Sequence, residues 1–315
     1  MKDWKRWRHV LEAKGLWLLI RMVERMPRKM TLLLANLAGT FFFFFDKRGR
    51  KLAEENLRIA FGDKFNESER RKIARTAIQT MARNFFDSFW SANLNTENFR
   101  DYIQIEGEEY LGKEGDTRLL ICPHFGAFEW SGLAVGFLGR EMYFVAQEFK
   151  NEKVGKEFLR CRSRSGNHYI SRKGAMIRLY KVLKAGGCVG MLPDLTIDPR
   201  MPSTVVTFFD REISVSIMHA VMHEKLGCSV SPVITWPQPD GRVKMVIYPP
   251  FEFKENMTTQ EKIQLCWDFF ENIVREHPEF WIWAYKHWRF LPEDAKIEYP
   301  SYANRSKRFE ALRAK

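Results

Sequence analysis

The sequence predicts an α/β protein in which a central mixed, mostly parallel sheet is flanked by helices and follows a helical N-terminal region. Three observations predict this class. From about residue 101 onward, short apolar runs alternate with amphipathic stretches, a pattern typical of strands connected by helices. The first hundred residues carry helical periodicity with no strand pattern. A chain of 315 residues is also long enough to bury a full core without disulfide or metal crosslinks.

The individual elements follow from the apolar periodicity. Short apolar runs bounded by polar residues predict strands at residues 119–122, 142–146, 188–192, 230–235 and 243–248. Helical patterns lie between several of these strands, at residues 128–138, 152–162, 175–184 and 215–226. In the N-terminal region, residues 56–61 and 70–84 repeat apolar positions at helical spacing, and Asn66 and Ser68 are candidate N-caps for the second helix. We therefore divide the chain into a helical region (1–100), an α/β domain (101–300) and a basic C-terminal tail (301–315).

The apolar stretch at residues 30–45 is the most distinctive part of the helical region. It contains no charged residue, ends in five consecutive phenylalanines, and is just shorter than the roughly 17–25 residues that span a bilayer. Basic residues lie on both sides of it: Arg25, Arg28, Lys29, Lys47, Arg48, Arg50 and Lys51. An apolar helix with basic ends is typical of segments that lie in an anionic leaflet. A buried core helix is the alternative, and spanning and surface-lying arrangements both stay open.

Charge and cysteine content narrow the class further. The 51 basic and 39 acidic residues give a net charge of +12, which favours an acidic partner. The basic residues are spread along the chain without any RNA-binding or zinc-finger pattern, so a nucleic-acid partner is not predicted. The five cysteines are widely spaced and form no CxxC pair, which indicates a reducing compartment and no zinc ribbon.

A histidine directly after the first buried strand is the leading catalytic candidate. Residues 119–130 read LLICPHFGAFEW, which places His124 at the carboxyl end of a strand and Glu129 five residues further on. Ligands of open α/β sheets bind at these strand ends, and Gly126 permits a tight bend. A carboxylate that holds His124 would fix its tautomer and make it a general base. The alternative is structural: His124 caps a turn and Glu129 is a solvated helix residue.

Residues 124–129 (HFGAFE) resemble the H-x4-D/E motif of the glycerolipid acyltransferases. Their context resembles the lipid A biosynthesis acyltransferases, which transfer lauroyl and myristoyl chains, with Ala127 and Phe128 in place of the usual Asn and Trp. Further stretches resemble this family in the same order along the chain, so the chain is identified as a divergent member of it. These stretches are residues 47–61 (KRGRKLAEENLRIAF), 171–176 (SRKGAM), 187–194 (GCVGMLPD), 206–209 (VTFF) and 278–289 (PEFWIWAYKHWR).

The resemblance implies an acyl transfer in which His124 and Glu129 act on the hydroxyl of an acceptor. It implies substrate-binding roles for Arg164, Asp194 and Gly126, with Arg164 and amides near Gly126 as candidates to stabilise the oxyanion. The implied donor is acyl carrier protein or acyl-CoA, and the implied acceptor is a glycolipid such as a lipid A precursor, at the cytoplasmic face of a bacterial inner membrane. No cofactor is expected.

Several alternatives stay open. The acceptor could be a phospholipid, a mannoside or an aminolipid, and a non-catalytic peripheral membrane protein is the reading from another class. His219 and His223 are spaced as a metal pair on a predicted helix, but without an H-E-x-x-H pattern or an evident third ligand no metal site is expected.

Overall fold

A computed structural model describes residues 2–146 and 149–314 of the chain. Its first hundred residues are helical, as predicted: α1 (Lys2–Glu24), α2 (Arg28–Phe45), α3 (Lys47–Phe61), α4 (Glu67–Trp90) and the short α5 (Phe99–Tyr102). Asn66 caps α4 in a capping box, since its side chain accepts from the Glu69 amide and the Glu69 carboxylate accepts from the Asn66 amide. The predicted N-cap at Asn66 is therefore confirmed.

The rest of the chain alternates strands and helices. The strands are β1 (Ile103–Glu106), β2 (Arg118–Ile121), β3 (Met142–Ala146), β4 (His168–Ser171), β5 (Cys188–Met191), β6 (Ser203–Phe208), β7 (Arg211–Ser216), β8 (Ser229–Pro237) and β9 (Val243–Ile247). The helices are α6 (Phe128–Phe137), α7 (Glu152–Arg162), α8 (Ala175–Lys184), α9 (Met218–Leu226), α10 (Thr259–Glu276) and α11 (Lys307–Arg313).

Seven strands form one mixed sheet in the order β1-β9-β8-β2-β5-β3-β4. All neighbours pair in parallel except β8 and β9, which are antiparallel. Apolar clusters cover both faces of the sheet, one with Leu119 and Ile121 of β2 and the other with Leu120. The predicted fold class, a mixed and mostly parallel sheet flanked by helices, is confirmed.

Two predicted elements differ from the structure. The helix predicted at residues 215–226 begins only at Met218, because Val215 belongs to β7 of a separate β6–β7 hairpin. The stretch predicted as a basic C-terminal tail contains α11, whose Phe309 is fully buried and whose Arg313 pairs with Glu212, Asp294 and Glu310. Met1 and Lys315, at the two ends of the predicted regions, lie outside the described residues.

Helix α2 has one face against the protein and one face in solvent. Its buried residues, Thr31, Ala35, Gly39 and Phe43, recur every four positions and face α4, and a Cβ added at Gly39 would lie 2.5 Å from the Gln79 Cα. The opposite face exposes seven large apolar side chains: Met30, Leu33, Leu37, Phe41, Phe42, Phe44 and Phe45. Within the described residues, no single helix meets the length and hydropathy needed to cross a bilayer, whereas the pair Arg28–Phe45 and Lys47–Lys64 meets it together with an 89° bend.

Candidate active site

His124 lies just beyond the carboxyl end of β2, and the carboxylate that holds it comes from the end of the neighbouring strand β5. The ring Nδ1 lies 2.7 Å from Asp194 Oδ1, and the backbone amide of His124 donates to Asp194 Oδ2 at 2.8 Å. The register of β2 and β5 explains this meeting. Ile121 pairs with Met191, and His124 and Asp194 each follow three residues later.

The pair is electrostatically coupled. Burial opposes a charge on His124, but the Asp194 carboxylate outweighs it through charge and hydrogen bonding, so the pKa of His124 is raised. Burial of Asp194 acts against its ionisation, yet contact with His124 and the hydrogen bond from Trp281 leave the pKa of Asp194 lowered. Because an ionised carboxylate only accepts hydrogen bonds, Nδ1 carries the proton and Nε2 is free to accept one.

Trp281 completes the support of Asp194. Its indole Nε1 donates to Asp194 Oδ2 at 2.9 Å, so that this one carboxylate oxygen accepts from two N–H groups. The ring of His287 stacks on Trp281 at 4.0 Å between centroids, and burial lowers the pKa of His287 to about 4, which keeps it neutral at pH 7. The sequence singles out the Trp-rich block at residues 278–289 by resemblance, but its spacing does not indicate this contact.

Glu129 does not take the place that the H-x4-E spacing suggests. Its carboxylate forms a two-bond ion pair with Arg162 at the end of α7, with Arg162 Nε 2.9 Å from Glu129 Oε2. The expected direct hold of Glu129 on His124 is therefore replaced by Asp194, because the guanidinium of Arg162 competes for Glu129. His124 and Glu129 still line the same cavity.

Asn84 of α4 holds the loop between His124 and Glu129. The Asn84 Nδ2 group donates to the Gly126 carbonyl at 2.5 Å, and the Asn84 Oδ1 atom accepts from the Glu129 amide at 3.3 Å. Gly126 has φ +58°, and a Cβ there would lie 1.7 Å from the Thr235 carbonyl oxygen, so only glycine fits. The Gly126 amide donates to the Phe280 carbonyl at 2.9 Å. Among the amides near Gly126 that the sequence offers as oxyanion donors, that of Gly126 itself is therefore already paired within the fold.

Arg164 also differs from its expected place. Its guanidinium pairs with Glu24 of α1 at 2.5 Å, and the same Glu24 oxygen also pairs with Arg160. This cluster fastens α1 to the end of α7. Of the three arginines at positions 160, 162 and 164, it is Arg162 that lines the cavity beside His124. A sequence with three arginines at alternating positions, 160, 162 and 164, gives no means of choosing among them before the helix end is known.

An apolar cavity of about 600 Å³ opens beside His124 and runs between the sheet and α6. Its mouth carries His124, Phe128, Glu129 and Arg162, and the Phe128 ring lies 5.2 Å from the His124 ring between centroids. Its walls come from β2, β3, β5 and α6, and include Leu120, Leu133, Met142, Phe144 and Gly190. The volume is in the usual range of small-molecule sites, and the lining suits a hydrocarbon chain with a reactive head at His124.

The histidines spaced as a metal pair do not converge on a site. His219 is fully buried, and burial lowers its pKa to about 4. Among the described residues, neither of its ring nitrogens has a hydrogen-bond partner. The Nδ1 of His223 contacts the Cys228 carbonyl at 2.9 Å. In the part of the chain that the structure describes, no three His, Cys, Asp or Glu side chains lie close enough to hold a metal ion.

Comparison with known proteins identifies the family. The profile described as bacterial lipid A biosynthesis acyltransferase matches residues 3–290. No curated protein is similar enough in sequence to match the chain. Among solved structures, the 1-acyl-sn-glycerophosphate (LPA) acyltransferase PlsC from Thermotoga maritima is similar over 79% of this chain and 97% of that chain, with 16% identity and a TM-score of 0.37. On the extent of the profile match, the chain is an acyltransferase that belongs to the bacterial lipid A biosynthesis acyltransferase family.

Proposed function

We propose that this protein moves a fatty acyl chain from an acyl thioester, carried by acyl carrier protein or coenzyme A, to a hydroxyl of a lipid A precursor or similar glycolipid. One observation carries the proposal: His124, polarised by a buried aspartate, faces the mouth of an apolar cavity large enough for an acyl chain. Family membership supports the reaction class.

The proposed chemistry uses the free nitrogen of His124. Nε2 takes the proton from the acceptor hydroxyl while that oxygen attacks the thioester carbonyl. The imidazolium that forms is stabilised by the Asp194 carboxylate at 2.7 Å. The tetrahedral oxyanion then collapses, the C–S bond breaks, and the imidazolium returns its proton to the departing thiolate. An ester and a free thiol result, and no acyl-enzyme forms.

The donors that stabilise the oxyanion are proposed from the residues at the mouth. Phe128 begins α6, so the positive end of this helix and its first amide lie beside His124. Arg162 keeps part of its guanidinium fork beyond the two N–H groups that Glu129 engages. We assign to the Glu129–Arg162 pair the binding of the polar head of a substrate, in the place of Arg164. Loss of one such donor costs about 3–4 kcal/mol in the transition state.

The exposed apolar face of α2 supports a place at the cytoplasmic face of the inner membrane. Phe45 is 70% exposed and Phe41 is 54% exposed. Contact between such large apolar side chains and water is unfavourable in free energy. Lys47 and Lys51 follow directly on α3 and suit anionic headgroups. We propose that this face enters an anionic leaflet without crossing it, and that the cavity draws its lipid substrates from there.

The test of the function is transfer by the purified protein. With a long-chain acyl donor and a lipid A precursor, wild type should form an acylated lipid, and His124→Ala should lower kcat by at least about 10²-fold. His168→Ala is the matched control, because His168 is exposed at the sheet edge, where it pairs with Glu141 and stacks on Tyr143. Equal turnover by His124→Ala and wild type would overturn the mechanism.

The acceptor is tested in cells. Mass spectrometry of total lipids with and without the gene should show a mass difference of one acyl group on a defined glycolipid. The same difference on a phospholipid, mannoside or aminolipid would replace the acceptor and keep the reaction. Binding to vesicles without any lipid change in cells, and without turnover in vitro, would favour a non-catalytic membrane protein.

A further inference from the structure

We infer that Met142 forms the floor of the cavity and sets the length of the acyl chain that this protein transfers. The inference rests on the proposed acyl transfer and deepens it by assigning selectivity to one side chain. Met142 begins β3, so it stands at the amino end of the parallel strands, opposite the carboxyl ends that carry His124.

The register of the sheet gives the depth of the cavity. Met142 pairs with Cys188 of β5, which pairs in turn with Arg118 at the start of β2. His124 lies six residues beyond Arg118. The first four of these six residues lie within β2 or directly after it. At roughly 3.3 Å per residue, the floor and the catalytic histidine are about 13–20 Å apart along the sheet. An extended hydrocarbon advances about 1.25 Å per carbon, given C–C bonds of about 1.5 Å, so this depth suits about 10–16 carbons.

The thioether of Met142 fills a gap left by two glycines. A Cβ added at Gly190 of β5 would lie 2.5 Å from Met142 Sδ and 2.8 Å from its Cε. A Cβ added at Gly132 of α6 would lie 3.1 Å from the same Cε. The end of the side chain therefore lies between the sheet and the helix, where a larger residue on either side would displace it. All three residues line the cavity.

The backbone behind the thioether is held firmly. The Met142 amide donates to Asn167 Oδ1 at 3.1 Å, and the Asn167 side-chain amide donates to the Gly132 carbonyl at 2.7 Å. Asn167 is buried and thus bridges the start of β3 to α6 at the closed end. Because the backbone is anchored while the unbranched side chain projects into the cavity, the length of this one side chain decides where an acyl chain must stop.

The experiment compares the chain lengths that variants transfer. Purified wild type, Met142→Ala and Gly190→Ala are each given a series of saturated acyl donors of increasing even length. Met142→Ala should move the optimum to donors longer by two or more carbons, and Gly190→Ala should move it to shorter ones. The ratio of kcat/KM for long and short donors should change by at least about tenfold, since one methylene in an apolar pocket is worth roughly 10- to 200-fold.

A matched control separates selectivity from general loosening. Met222→Ala truncates a buried methionine of α9 that does not line the cavity, and its chain-length profile should equal that of wild type. As a readout without turnover, the rise in Tm caused by free fatty acids of the same lengths should follow the same shifts. If Met142→Ala does not fold, Gly190→Ala and Met142→Leu carry the test.

The outcomes distinguish this inference from the proposed function. Wild type could transfer no acyl chain while Met142→Ala still changes which lengths of fatty acid raise the Tm. That result would refute acyl transfer and support Met142 as the floor of the cavity. If Met142→Ala and Gly190→Ala both keep the wild-type length profile in transfer and in binding, the assignment of Met142 is overturned.

Discussion

Replacement of Asp194 by asparagine tests the central contact of the active site. Asp194 Oδ2 accepts from two fixed donors, the His124 amide and the Trp281 indole, whereas Oδ1 faces His124 Nδ1. An asparagine must keep its oxygen toward the two donors, so its NH2 group faces Nδ1. The neutral imidazole is then forced to carry its proton on Nε2, where it cannot accept one from the acceptor hydroxyl.

The size of the effect follows from what is lost. A charge-assisted hydrogen bond contributes about 1.5–3 kcal/mol, which corresponds to about 10- to 150-fold in rate when it stabilises only the imidazolium. The wrong tautomer adds to this, so we expect Asp194→Asn to lower kcat by about 10²–10⁴-fold. Asp198→Asn is the matched control. Asp198 is 39% exposed and pairs with Arg200 in the following loop, and its loss should change kcat by no more than about twofold.

The pH dependence gives a second, signed readout. A general base must be neutral, so wild-type kcat/KM should fall as the pH drops through the raised pKa of His124. Removal of the Asp194 charge leaves burial as the main influence, which lowers the pKa of His124, so the acid limb of Asp194→Asn should move to lower pH. If Asp194→Asn keeps wild-type kcat while Glu129→Gln loses activity and moves the acid limb, Glu129 orients the histidine and the reasoning is refuted.

Two further predictions concern the loop and the membrane face. Gly126→Ala places a Cβ 1.7 Å from the Thr235 carbonyl and should lower the free energy of unfolding in urea by more than 3 kcal/mol, whereas Gly139→Ala, at φ +84° with open space around it, should cost only about 1–2 kcal/mol. Equal losses would contradict the clash. Replacement of three exposed α2 phenylalanines by serine should weaken binding to anionic vesicles at least about tenfold. Replacement of three exposed apolar residues outside α2 by serine should leave this binding unchanged. Unchanged sedimentation with vesicles would remove α2 as the contact. The variants are Phe41/Phe44/Phe45→Ser and, as control, Ile177/Met201/Ile297→Ser.

The sequence predicts the sheet strands in which apolar residues outnumber polar ones. It misses β1 and β4, which are four residues each and carry polar side chains at half of their positions or more. It also misses the β6–β7 hairpin, because the turn residues with positive φ are Phe209 and Asp210 rather than the Asn-Gly or Asp-Gly pair that usually marks such a turn. Strands rich in polar residues and turns without the usual turn residues therefore cannot be predicted from the sequence pattern.

In the candidate active site, the residues can be predicted from the sequence but their contacts cannot. His124 is predictable from its place after a buried strand, and the resemblance brings Asp194 onto the list of site residues. Their contact is not predictable from spacing, because seventy residues separate them and only the adjacency of β2 and β5 brings them together. Glu129 is close in sequence, but a partner on another helix, Arg162, takes its carboxylate. Competition between distant partners is the information that a linear pattern lacks.

Asn84 has a consequence for how the chain can be divided. The loop between His124 and Glu129 depends on one amide side chain that acts as donor and acceptor at once, and that side chain belongs to the helical region. A fragment beginning at residue 101 would keep every residue of the His–Asp pair yet leave the Gly126 carbonyl and the Glu129 amide without their partner. The helical region and the α/β domain thus both contribute to the structure of this one turn. A chimera of two relatives should therefore keep the turn intact only if α4 and the loop come from the same parent.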